Sequence, residues 1–132
     1  MGPLSAVDRV LADARRRLVR VDATRAREIV DHGGLLIDIR PAEQRATFGE
    51  VPGALIIERN VLEWRLDAGG NHRIPEVEDT ATPVVVMCQE GYASSLAAAS
   101  LQELGLVDAT DLEGGFAAWK AAGLPVTPPR VG

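Results

Sequence analysis

The chain has 132 residues, enough for one domain and too few for two of ordinary size. Hydrophobic residues make up 46% and charged residues 25%, a globular balance that argues against a disordered chain. The formal net charge of −5 leaves no basic footprint for nucleic acid or an anionic membrane, and a single cysteine excludes an internal disulfide.

Val7, Val10, Leu11, Ala14 and Leu18 recur at helical spacing, so residues 1–18 read as an N-terminal amphipathic helix. Its other face carries Asp8, Arg9, Asp13 and the run Arg15–Arg17, the pattern of a solvated face. The segment is charged throughout and lacks the apolar core of a secretion signal. No stretch approaches the ~20 apolar residues of a membrane span, so a soluble, cytoplasmic protein is expected. Asp22 or Thr24 caps a second helix that runs to about His32 and ends at Gly33 and Gly34. "LLIDIR" (Leu35–Arg40) is then a short apolar strand emerging at Asp38.

Pro41 opens a helix in "PAEQRATF", where its missing N–H costs nothing. A loop and a strand at Ala54–Ile57 follow, then a short helix from an Asn60 cap and the loose run "DAGGNHRIPEVEDTATP". "VVVMC" reads as a buried strand and Gly91–Leu104 as a helix. "ATDLEGG" supplies a last strand and turn, "FAAWKAAG" a closing helix, and "LPVTPPRVG" a proline-rich end that cannot continue it. Alternating strands and helices predict a mostly parallel sheet covered on both faces. Ligands in such folds bind beyond the carboxyl ends of the strands, where Cys88 and Asp38 both fall.

Cys88 either ends a core strand as a small hydrophobe or is presented by the loop that follows. The strand–loop–helix context favours presentation. The loop Gln89, Glu90, Gly91, Tyr92, Ala93 and Ser94 can curl around the sulfur, with Gly91 allowing unusual dihedrals. The first turn of the next helix adds unpaired N–H groups and its positive dipole end, completing an anion cradle. Ser94 offers a hydroxyl donor or a helix cap, which Ser95 can share. Tyr92 either walls the pocket or shields the loop, and Trp64 reads as a packing or capping aromatic rather than a lining of the entrance. His32 and His72 have no metal-ligand spacing to the cysteine, so no metal is expected.

"LLIDIRPAEQ", "GEVPGA", "VVVMCQEGYASSLAAASLQELG" and "LEGGFAAWKAAGLPV" occur in the order and spacing of one family, and the chain from about Val19 to Pro128 resembles a single-domain rhodanese-like sulfurtransferase. The resemblance implies a three-layer α/β/α domain over residues 19–128, with a five-stranded parallel sheet, helices on both faces and a short tail at 129–132. It implies a persulfide at Cys88, no cofactor, a small anionic sulfur donor, and a thiol or protein acceptor. Asp38 and Arg40 match the family's D-x-R element, and Gly114, Gly115 and Trp119 its closing G-G-x-x-x-W element. These five are expected to support the structure around the active face, with Asp38–Arg40 as an ion pair that holds a loop.

Two departures bear on the donor. The loop carries Gln89 and Glu90 and no basic residue, whereas thiosulfate-active members often have one. Glu50 stands where the family commonly has histidine. A cysteine-dependent phosphatase needs an arginine six positions after the cysteine to grip phosphoryl oxygens, and that position is Ser94. A non-catalytic interaction or redox-sensing module on the same fold is the remaining alternative, since an exposed thiol can be oxidised without turning over sulfur.

Overall fold

Four short parallel strands organise the molecule, whose computed structural model describes residues 4–130. They are β1 (Leu35–Asp38), β2 (Leu55–Ile56), β3 (Val84–Met87) and β4 (Ala109–Asp111), in the order β2-β1-β3-β4. The register pairs Asp38 with Met87 and Val86 with Asp111, so three strands end side by side. The helices are α1 (Ala6–Arg16), α2 (Ala23–Asp31), α3 (Ala42–Phe48), α4 (Leu62–Leu66), α5 (Ala93–Glu103) and α6 (Gly115–Ala121).

The alternation of β3 shows why it is apolar throughout. Val84 and Val86 face a core completed by Ala14 of α1, Leu18 just after it, Leu62 and Leu66 of α4, and Ala97 and Leu101 of α5. Val85 and Met87 face the other core, with Ala26 of α2 and Phe116 and Trp119 of α6. A strand buried on both faces needs apolar residues at every position.

Five strands were expected and four form among the described residues. The fifth is reduced to a single parallel bridge between Val21 and Leu112. Only residues 18–21 separate the Arg17 end of α1 from Asp22, which caps α2 through Arg25 N–H. The short helix after β2 also starts differently. Asn60 lies within a 3₁₀ turn (Arg59–Val61) that leads into α4, and it caps nothing with its side chain.

Only the C-terminal end of α1's apolar stripe is buried. Ala14 joins the core, as does Leu18 just beyond the helix, while Val7 and Val10 are exposed. Ser5 and Asp8 form a reciprocal capping box at the helix start. The proline-rich end is tied down as far as Arg130, whose amide bonds Ala46 O, and Thr127 pairs with Glu50 as an antiparallel bridge. Residues 1–3 of the expected first helix and 131–132 of the expected tail lie outside the described residues.

Candidate active site

β3 ends at Met87 and delivers Cys88 into the loop that precedes α5. The free thiol is nearly buried, and two backbone amides point at it: Gly91 N–H donates to Sγ at 3.2 Å and Ser94 N–H at 3.4 Å. The Ser94 amide lies in the first turn of α5, so one of the helix's N-terminal N–H groups is directed at the sulfur. The sulfur therefore sits where negative charge is stabilised by fixed dipoles.

The outer side of this loop is clamped by its carbonyls. Phe116 N–H, at the start of α6, donates to Cys88 O at 2.9 Å, and Ala117 N–H donates to Gln89 O at 3.1 Å. Gly91 O accepts from Arg15 at 2.8 Å and from Arg20 at 2.9 Å. In a trans peptide the N–H points opposite to the C=O, so these clamps turn the amides of Gln89, Glu90 and Tyr92 away from the clamping groups. Two glycines make the arrangement possible. Gly91 has φ 91°, and a Cβ there would lie 2.7 Å from Gly114 N. Gly115 has φ 60°, and a Cβ there would lie 2.7 Å from the carbonyl carbon of Gln89.

Asp38 and Arg40 form a buried ion pair, with Arg40 Nη2 2.9 Å from Asp38 Oδ2. Arg40 also donates to Gln89 Oε1 at 2.9 Å and to Gly49 O at 2.8 Å, and lies 4.2 Å over the Phe116 ring. This one guanidinium joins β1, the cysteine loop, the Gly49 turn and α6. Gly114 adopts φ 74° at the N-cap of α6, and buried Trp119 donates to Pro125 O at 2.8 Å, fastening the chain after that helix. The Glu50 carboxylate pairs with Arg45 and Arg130.

Asp111, at the end of β4, was not singled out by the sequence, yet it is fully buried and central. It accepts from Ser94 Oγ at 2.7 Å, Ser95 Oγ at 2.8 Å and Arg20 Nε at 2.9 Å. The Ser94 hydroxyl thus neither caps α5 nor reaches Sγ; only its amide does. Burial alone would lower the Arg20 pKa, but the hydrogen bond and charge of Asp111, then Glu113 and Cys88, raise it above the ordinary value.

Two further placements, of Arg15 and Trp64, differ from expectation, and Tyr92 takes the outer of its two expected positions. Arg15 leaves the solvated face of α1: it is half-buried, donates from Nε to Ser95 Oγ at 3.1 Å, and lies 5.5 Å over the Tyr92 ring. Trp64 is 61% exposed and packs into no core. Tyr92 is exposed on the outside of the loop, where Arg15 meets it. Glu90 and Ala93 are exposed and Gln89 is half-buried.

A thiol at the carboxyl end of a parallel strand, in a loop where two amides point at the sulfur, makes a cysteine-centred candidate site. Residues 22–122 match the model of the rhodanese-like domain, and the chain belongs to that family. It is 28% identical to the thiosulfate sulfurtransferase GlpE of Ectopseudomonas mendocina over 102 residues, 77% of this chain and 84% of that protein. It is 34% identical to a sulfurtransferase of Allochromatium vinosum over 96 residues, 73% of this chain and 80% of that one. Among solved structures, a Rhodopseudomonas palustris protein of unknown function, named as a possible tyrosine phosphatase, superposes with TM-score 0.80 at 27% identity, covering 96% of this chain and 97% of that one. A thiosulfate sulfurtransferase of Pseudomonas aeruginosa superposes with TM-score 0.65 at 26% identity, covering 85% of this chain and 20% of that one.

No helix among the described residues is long and apolar enough to cross a membrane.

Proposed function

We propose that this protein is a sulfurtransferase that moves sulfane sulfur through a persulfide at Cys88. The Cys88 thiolate attacks the outer sulfur of a small anionic donor. The donor's S–S bond breaks, and its electron pair leaves with the remainder: sulfite from thiosulfate, a thiolate from a thiol persulfide. A nucleophilic acceptor, either a thiol or a protein, then attacks the terminal sulfur and the Cys88 thiolate departs. No redox partner is consumed, because the sulfur atom carries its oxidation state from donor to acceptor. The observation that carries this reading is the pair of amides, Gly91 and Ser94, that donate to Sγ from a loop fastened to α6 through the carbonyls of Cys88 and Gln89. Fixed donors of this kind stabilise a thiolate and the charge that develops as the sulfur moves.

The phosphatase reading lacks its principal group. At the sixth position after Cys88 the Ser94 hydroxyl is spent on Asp111, and the loop contains no guanidinium to hold phosphoryl oxygens bidentately.

The test is intact-protein mass spectrometry after incubation with thiosulfate and, separately, with a thiol persulfide. A gain of one sulfur atom that cyanide removes is the expected result. No gain from either donor would overturn the reading in favour of an interaction or redox-sensing module. The two donors also report on Glu90. Its carboxylate is exposed at the loop, so it repels a dianionic donor through solvent and only modestly. Glu90→Arg is expected to raise kcat/KM for thiosulfate about threefold at low salt, and less at high salt. An unchanged rate at low salt would show that Glu90 does not limit donor use.

A further inference from the structure

The loop around Cys88 contains no cation, and three arginines approach it from elsewhere in the chain. Two are neutralised where they stand: Arg40 by Asp38 and Arg20 by Asp111. The third, Arg15 of α1, has no carboxylate ion-pair partner among the described residues. Its contacts are a carbonyl, a hydroxyl and an aromatic face: Gly91 O at 2.8 Å, Ser95 Oγ at 3.1 Å and the Tyr92 ring at 5.5 Å. These hold the guanidinium in one geometry, and its half-burial reduces the screening of its charge. Arg15 also lies seven residues before the region matched to the family model begins, at residue 22.

We infer that Arg15 is the specificity cation of this site: through Gly91 O it positions the cysteine loop, and as an uncompensated charge it biases Cys88 toward anionic reagents. The first helix is then part of the active site and substitutes for the basic residue that the loop lacks. The inference deepens the proposed function and rests on Cys88 being the reacting atom. Arg15 is a positioning and charge-supplying residue, not a group that bonds the sulfur.

The test compares alkylation of Cys88 in the full chain by iodoacetate, an anion, and iodoacetamide, a neutral reagent of similar size. A purely structural role would change both rates together. A charge role changes their ratio. In Arg15→Gln the iodoacetate-to-iodoacetamide ratio is expected to fall about fivefold, the scale of one charge acting across a partly screened site. Arg15→Lys, which keeps the charge, is expected to stay within about twofold of the wild type. Thermal unfolding of both variants shows whether the fold is kept. A ratio unchanged in Arg15→Gln, or lowered equally in Arg15→Lys, overturns the inference and leaves the sulfurtransferase reading standing. Failure of both reagents to label Cys88 in the folded wild type overturns the inference and the proposed function together.

Discussion

Replacing Cys88 with alanine is expected to abolish sulfur loading and turnover while leaving the fold intact. The sulfur is the only nucleophile in the loop that can form and discharge a persulfide, so activity should fall to the uncatalysed background. The structural cost is small. Cys88 sits at the edge of the core with 8% of its surface exposed, and alanine keeps the backbone, its carbonyl bond to α6 and most of the packing. A loss of about 1 kcal/mol in unfolding free energy is anticipated. Cys88→Ser should be equally inactive, since its oxygen can accept from the Gly91 and Ser94 amides but cannot carry sulfane sulfur reversibly. Mass spectrometry and a cyanide discharge assay check both variants. Retained turnover in either would eliminate the persulfide mechanism.

The second large effect falls on Asp111, away from the sulfur. Alanine there removes the acceptor shared by Ser94, Ser95 and Arg20, none of which keeps a full set of partners. The Arg20 side chain is 17% exposed, so its charge would be left mostly buried and unpaired. Breaking a buried pair on one side costs about 3 kcal/mol or more. For a domain of this size that corresponds to a fall in Tm of roughly 10–15 °C. Sulfur loading should slow as well, because Arg20 holds Gly91 O and Ser94 supplies an amide to Sγ. Urea unfolding and a loading time course measure the two effects. A destabilisation below about 0.5 kcal/mol, the range of an ordinary surface substitution, would show that the cluster is not a structural centre.

These two residues also mark the limits of what was legible. Cys88 was evident because its signals are local: an apolar strand, a glycine in the loop and a helix start, all within a few residues. Asp38–Arg40 was legible for the same reason, being two residues apart on one strand end. Asp111 resembled any polar residue closing a short strand. Its partners lie 16, 17 and 91 residues away, and nothing in its neighbours reveals them. Arg15 misled in the opposite direction. A basic run on an amphipathic helix is normally solvated, and Arg16 and Arg17 are indeed exposed. Arg15 differs only because α1 packs against α5 near the cysteine loop, 76 residues further along the chain.

The sequence by itself determined the α/β class, an N-cap for the second helix at Asp22 or Thr24, the buried central strand and the loop that presents the thiol. Each follows from periodicity, capping or glycine conformations, which act between residues close in the chain. Only the tertiary structure decided the shortening of the fifth strand to one bridge, the convergence of Arg15, Arg20 and Arg40 behind the loop, and the burial of Asp111 among its three partners. The physical reason is that the sheet sets these neighbours. Strand order brings the ends of β1, β3 and β4 together, and desolvation then selects which charged groups there must be paired.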